Sequence, residues 1–326
     1  MRGTWLRVGI AAAVLVGAFV LAVVILNQTV YGPAGFVKGY LDALVRKDAK
    51  AALALAGPSP SSSALDDLLT PEVMADLTDL DVRLDPDTTG LATGHRIVHV
   101  AFRADGVPGE AAFEVEDDGR ILGLFDRWAF TDSPLMQVDL TVLHAREFSA
   151  NGVERVTPDT DADATYLAFA PGAVTFASST TYTEAVPQSV MLDRPGRVVD
   201  VQLVAYADAA LIELAAAQAQ QYLDACAAQP VLFPANCPFG QDVADRIARG
   251  SSPHWSITEY PSIALQPTST LGQWRVVPAG GVAHLQARIR SIYDGSVSPL
   301  DVDVPFTIGY LATFVGADDL VLTPQP

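Results

Sequence analysis

Cys226 and Cys237 are the only cysteines in the 326-residue chain, and ten residues separate them in the stretch "QQYLDACAAQPVLFPANCPF". A zinc site needs four protein ligands, or three and a water. No CxxC is present, and the nearest histidine in sequence is His254. A redox pair favours CxxC spacing, which these two do not have. A cysteine nucleophile needs a positioned histidine, and spacing alone leaves that open. His95 and His99 fall on one side of a predicted strand with Ile97. Two histidines on one face could begin a metal site, but no third ligand follows at a matching spacing, so a surface or half-buried pair is expected. "GSSPH" around His254 lacks the strand–turn–helix setting of a nucleophile elbow. No HExxH, P-loop or GxGxxG occurs. No catalytic, cofactor-binding or metal-binding residue is therefore assigned, and no cofactor is expected.

The elements that carry these groups begin with "MRGTWLR", followed by Val8–Leu26, nineteen residues without a charge or a side-chain hydrogen-bonding group. As a helix this run would be roughly 28 Å long, close to the hydrocarbon thickness of a bilayer. The apolar region of a signal peptide usually spans only about 7–15 residues and ends at a small-x-small site. Here the run leads into "NQTVYGPAG", so an uncleaved anchor is expected over residues 8–26. Arg2 and Arg7 precede the span, and the next basic residue is Lys38. The positive-inside rule then leaves residues 1–7 as a cytoplasmic stub and places everything beyond outside the membrane. Trp5 suits the headgroup interface. Two thiols outside the membrane sit where disulfides persist, so a structural Cys226–Cys237 bridge is the expectation. The "NQT" sequon at Asn27 carries no meaning in a bacterial setting.

Without Arg2 and Arg7, 18 basic residues face 38 acidic ones, a net charge of −20. Such a surface repels phosphates, which argues against nucleic acid and against anionic lipid headgroups as partners. Three lysines stand beside seventeen arginines, a bias that suits a high-GC bacterial genome.

In "FVKGYLDALVRKDAKAALALAGPSP", Phe36, Val37, Tyr40, Leu41, Leu44 and Val45 form one helical stripe. Asp48 caps a second short helix that Gly57-Pro58 ends. Thr70-Pro71 reads as the start of a third helix, "PEVMADL". The period then changes to two: Val98, Val100 and Phe102 share a face, as do Ala111, Phe113 and Val115. "RILGLFDRWAF" adds Leu122, Leu124, Trp128 and Phe130. Helices followed by an antiparallel meander make an α+β domain.

Over residues 33–131 this order resembles the nuclear-transport-factor-2-like domains, the cone-shaped fold shared with SnoaL-type cyclases and ketosteroid isomerases. The likeness rests on "FVKGYLDALVRKDAKAALAL", on "TPEVMADL", and on strands ending near "DRWAF". It implies a fold and by itself no activity. Relatives that are enzymes hold an acidic base inside the cone. Asp42 and Asp76, read as lying on the helices here, are the acids at hand. Asp42 falls between the apolar pairs of its stripe, so a solvated helix face is expected. The strand positions that face inward carry no polar residue, which predicts a packed cone.

Residues 134–206 read as strands punctuated by "NG", "PDTDAD" and "APG", a small β-domain acting as a spacer. From Asp208 a helix returns, with Leu211, Ile212, Ala215, Ala219, Tyr222, Leu223 and Cys226 as its stripe. Its "YLDA" repeats residues 40–43 letter for letter. Downstream strands turn Ala283, Leu285, Ala287 and Ile289 inward, with His284, Gln286, Arg288 and Arg290 outward. Val302, Val304, Phe306, Ile308 and Tyr310 align in the next. Residues 207–326 thus form a second α+β domain, either a repeat of the first fold or a distinct one. The layout resembles bacterial envelope proteins with tethered domains, some linked to wall-stress or glycopeptide sensing, but lacks the cytoplasmic zinc ribbon many of them carry. The expected function is non-enzymatic: interaction with an envelope protein or a small ligand from a single-pass membrane anchor. The alternatives are a SnoaL- or isomerase-like enzyme using the first cavity, and a structural spacer.

Overall fold

The computed structural model describes residues 2–87, 89–315 and 320–324, with side chains described between Ala13 and Thr323. The side chains of Arg2, Trp5 and Arg7, on which orientation and interface placement rest, lie outside the described residues. The fold is α+β and divides into two compact units. The first comprises Met1–Ser178 with Val186–Leu203, and the second comprises Ser179–Ala185 with Val204–Pro326.

In the first unit, helix α1 (Arg2–Thr29) contains the whole apolar run in one continuous helix. Val14, Leu15, Val16, Phe19, Val20 and Leu21 are all more than half exposed, and among its described side chains, from Ala13 to Thr29, none is buried in the protein. Among the residues with described side chains, no single helix is long and apolar enough to cross a membrane; Ala13–Thr29, the described part of α1, passes by length and composition together with Pro33–Val45, at a bend of 58°. The second partner is already used in the core. Helix α2 (Pro33–Val45) buries Val37, Tyr40, Leu41 and Leu44, whereas Val45, expected in the same stripe, is exposed. Helix α3 (Ala49–Ala56) starts where the Asp48 carboxylate accepts the Ala51 N–H at 3.0 Å and stops at Gly57.

No helix forms over "PEVMADL". Residues 71–74 are turns, and Val73, Met74 and Ala75 are buried consecutively, which one face of a helix cannot do. Strand β1 (Leu77–Leu84) follows, interrupted by a bulge between Thr78 and Asp81. With β2 (Arg96–Ala104), β3 (Val107–Ile121) and β4 (Phe125–Phe130) it forms an antiparallel sheet in chain order. Val98, Val100, Phe102, Phe113 and Val115 turn onto α2 and α3 as expected. Gly109 is the register partner of Phe102, whose ring lies over it; a Cβ there would come within 2.6 Å of the ring. Leu122 and Leu124, read as core, instead sit in the β3–β4 turn, 87% and 42% exposed, and Trp128 is only half-buried. The chain reverses at Leu122-Gly123, so the alternation that pointed them inward ends one residue earlier.

The next strands are β5 (Leu135–Leu143), β6 (Glu147–Ala150), β7 (Val153–Val156), β8 (Asp163–Phe169), β9 (Gly172–Ala177), β10 (Thr183–Glu184), β11 (Gln188–Leu192), β12 (Val198–Val204) and β13 (Tyr206–Ala207). They pair as β12-β5-β8, β11-β9-β6-β7 and β10-β13. Leu135, Leu167 and Phe169 join the same core cluster as Tyr40 and Phe113. The Tyr40 hydroxyl donates to the Ala170 carbonyl at 2.8 Å. Residues 134–178 and 186–203 therefore belong to the unit that also holds 33–131, while 179–185 join the second unit.

Among its described residues the second unit has one helix, α4 (Ala209–Ala227), capped by Asp208, whose carboxylate accepts the Leu211 N–H at 2.9 Å. Leu211, Ala215, Ala219, Leu223 and Cys226 form its buried stripe. The strands are β14 (Arg246–Ile247), β15 (His254–Glu259), β16 (Leu265–Pro267), β17 (Gln273–Val276), β18 (Ala279–Arg290), β19 (Val297–Ile308), β20 (Tyr310–Phe314) and β21 (Leu320–Pro324). Strand β18 pairs with β19 along its full length and with β15 and β14; β16-β17-β20-β21 form a further antiparallel sheet. Ala283, Leu285, Phe306 and Ile308 face α4 and Trp255 in the core. Gly281 lies beneath Phe306, its register partner, as Gly109 lies beneath Phe102.

Candidate functional site

Cys226, on the last turn of α4, is bonded to Cys237, with Cα atoms 5.8 Å apart. The bridge ties α4 to the loop ahead of Phe239, whose ring packs on Trp255 at 5.0 Å and Phe306 at 5.3 Å. Its surroundings are those of a core edge.

The histidines do not assemble. His95 lies in the turn before β2, with Nδ1 2.8 Å from Glu114 and Nε2 3.5 Å from Glu116. His99 meets Asp85 at 3.1 Å. The Asp85 carboxyl is held below the usual range by the Asp87 backbone N–H and then by His99. His284, on β18, has Nδ1 2.7 Å from Asp303 and Nε2 3.2 Å from Asp301. In His95 and His284 the two ring nitrogens face opposite ways, so the flanking carboxylates cannot converge on one ion. Among the described residues, no group of three or more His, Cys, Asp or Glu could hold a metal. His254 is exposed on β15. Asp42 is exposed on α2 as expected. Asp76 lies in the loop before β1, not on a helix, and pairs with Lys47 at 2.7 Å.

Between the β1–β4 sheet and the helices, Val98, Val100, Phe102, Phe113 and Val115 share one buried cluster with Val37, Tyr40, Leu41 and Leu44. The apolar cavity between Leu44, Leu68, Met74, Phe169 and Leu192 measures about 20 Å³, room for roughly one water. A ligand pocket usually needs about 300 Å³ or more. Two buried polar atoms, His144 Nδ1 and the Tyr166 hydroxyl, make no hydrogen bond among the described residues. Burial, with the Asp67 charge behind it, pushes the Tyr166 phenol up to about 12.

Larger concavities lie on sheet faces. One of about 720 Å³ runs over the outer side of β1–β3, between Asp81, Arg83, Asp85, His99 and Glu110. Two of its charged pairs, Arg83–Asp81 and His99–Asp85, are already closed. Another, about 500 Å³ in the second unit, is different. Arg249, Ser251, Ser252, Arg288, Arg290 and Val297 line it. Arg246 is the direct register partner of Arg290 across β14 and β18. Like charges directly opposite on a sheet repel. Among the described residues, Arg83, Arg103, Arg120, Arg127 and Arg194 each meet a carboxylate; Arg249, Arg288 and Arg290 make no ion pair, nor does Arg246, a state they share with Arg46, Arg96, Arg146, Arg155, Arg197 and Arg275. What sets them apart is that three of them line one groove. The turn at Ala248–Ser251, with Gly250 at φ 81°, brings Arg249 beside β18, and the Ser251 hydroxyl accepts the Arg288 N–H at 2.9 Å. Such a groove can hold an anion by charge-assisted hydrogen bonds.

The outward direction of Arg288 and Arg290 was readable from strand alternation. Their convergence with Arg246 and Arg249 was not, because β14 spans two residues and its pairing leaves no periodic trace. No protein-family model, curated protein or solved structure matches the chain.

Proposed function

We propose that this chain is a membrane-anchored binding protein of the bacterial cell envelope, with its two units outside the membrane, and that the arginine groove of the second unit receives an acidic ligand. The observation that carries the binding reading is the set of three arginines, Arg249, Arg288 and Arg290, that line one groove without a counter-charge, with Arg246 the register partner of Arg290, in a chain of net charge −18. Carboxylates fit that groove through paired, forked guanidinium contacts, and a bound anion relieves the Arg246–Arg290 repulsion. Anchoring is supported by α1, whose apolar residues are exposed around the helix. The first unit's two short helices followed by a four-stranded meander support the resemblance to nuclear-transport-factor-2-like domains. The shared Phe-over-Gly pairs and the histidines set between two carboxylates support a repeat of that architecture in the second unit.

The test uses the full chain in phosphatidylcholine vesicles and a fluorescent oligoglutamate peptide. Binding should be measurable at low ionic strength, weaken as salt is added, and vanish in Arg288→Glu/Arg290→Glu. Equal binding by that variant, or none by the parent at low salt, refutes the groove. Protease added to intact protoplasts checks the topology: it should leave only a short membrane fragment, and protection of the whole chain refutes the orientation.

A further inference from the structure

At the end of the first unit where α1 meets the sheet, the β3–β4 hairpin ends in "RILGLFD". Ile121, Leu122 and Leu124 are 43%, 87% and 42% exposed. The five residues from Ile121 to Phe125 carry no charge, and the first charges on the two arms, Arg120 and Asp126, pair with each other at 3.2 Å.

The turn makes an unusual choice. The Leu124 N–H donates to the Ile121 carbonyl, and the two central residues, Leu122 and Gly123, have φ of 52° and 69°. Two positive φ angles define a type I′ turn, whose first position favours Asn, Asp or Gly. A leucine there gives up backbone comfort, and its side chain gains no packing in the fold in return, since it is almost fully exposed.

The position of the tip supplies the reason. The Asn27 side chain donates to the Leu124 carbonyl at 2.9 Å and accepts the Asp126 N–H at 3.3 Å. One turn further along the chain, the Trp128 indole donates to the Tyr31 carbonyl at 3.0 Å, and Tyr31 stacks on Phe125 at 4.5 Å. Leu124 is thus level with Asn27 and Trp128 with Tyr31, so Leu122 and Gly123 extend toward the turns of α1 that precede Asn27. Asn27 is the first side chain with a hydrogen-bonding group after the apolar run of α1. Ile121, at the base of the tip, shares one largely apolar concavity with Val30, Tyr31 and Trp128, and Val24 and Ile25, on the turn of α1 just before Asn27, are exposed at 45% and 50%.

We infer that the Ile121–Phe125 hairpin tip inserts into the outer leaflet beside α1, as a second membrane contact that fixes how the first unit stands on the bilayer. The inference rests on the anchor reading of α1. The occupant is lipid, because the tip lies beside the exposed apolar turn of α1, and because its Arg120–Asp126 pair marks the change from apolar to charged at one depth. Neutral headgroups suit it, given the acidic character of the chain.

Full-length variants carrying one added cysteine, with the Cys226–Cys237 bridge left oxidised, take an environment-sensitive fluorophore at Leu122→Cys, Leu15→Cys or Val156→Cys. Val156 is an exposed residue of the same unit, on β7. Each is placed in phosphatidylcholine vesicles with and without brominated acyl chains. The expected result is strong bromolipid quenching at 15 and 122, none at 156, and iodide quenching several-fold weaker at 122 than at 156. Bromolipid quenching at 15 with iodide access at 122 equal to that at 156 overturns the inference and leaves the anchor standing. Absence of bromolipid quenching at 15 overturns both.

Discussion

Replacing Tyr40 with Phe should produce a variant whose stability deficit disappears in alkali. Tyr40 is completely buried on α2, with its ring edge-on to Phe113 at 6.3 Å and to Phe130 at 5.2 Å. Its hydroxyl makes one contact, the 2.8 Å hydrogen bond to the Ala170 carbonyl. Phe keeps the ring contacts and leaves that carbonyl without its donor, at a cost of about 1–2 kcal/mol near pH 8. Burial also pushes the Tyr40 phenol well above its ordinary pKa of 10.0. Above pH 10 the unfolded chain releases this proton while the folded chain keeps it, so the unfolded state binds fewer protons and stability falls as pH rises. The contribution is whole below about pH 10, and one such group removes about 2 kcal/mol by pH 11.5. The Phe variant escapes that loss, and the other raised tyrosines, Tyr166, Tyr222, Tyr260 and Tyr310, cancel in the comparison. Urea titrations of the full chain at pH 8 and pH 11.5 test this, following the fluorescence transition that Trp128→Phe erases. The Phe variant should be weaker at pH 8 and level with the parent at pH 11.5. An equal deficit at both pH values refutes the buried-phenol argument, and no deficit at pH 8 refutes the hydrogen bond.

Two further substitutions test the packing of each unit separately. Cys226→Ala opens a loop of sequence separation 11 and should cost the second unit about 3 kcal/mol, read as a lowered melting temperature of that unit alone; the parent should show no alkylatable thiol without reductant. Trp128→Ala removes a half-buried ring and its 3.0 Å hydrogen bond to Tyr31, and should cost about 2 kcal/mol, less than a fully buried tryptophan. Asp42→Asn, on the exposed face of α2, should stay within about 0.5 kcal/mol in the same urea titration.

The elements legible in the sequence were those whose signals are local. The starts of α3 and α4 follow from Asp48 and Asp208, because a carboxylate one residue ahead of a helix reaches back-facing N–H groups whatever surrounds it. The inward faces of β2, β3, β18 and β19 follow from alternation, because successive side chains of a strand must point to opposite sides. Strand β1 was not legible: its bulge at Thr78–Asp81 breaks the alternation, and most of its residues stay exposed. Nor was the reversal at Leu122-Gly123, where a leucine occupies a turn position that composition assigns to Asn or Gly. The assignment of residues 134–178 to the first unit required seeing Leu135, Leu167 and Phe169 packed with Tyr40, contacts across more than ninety residues of chain. The arginine groove depends in the same way on Arg246 and Arg290, 44 positions apart, becoming register partners. Caps and periods are set by neighbours along the chain, so the sequence alone determines them. Register, turn placement and the gathering of like charges depend on which distant segments pair, and only the folded chain decides that.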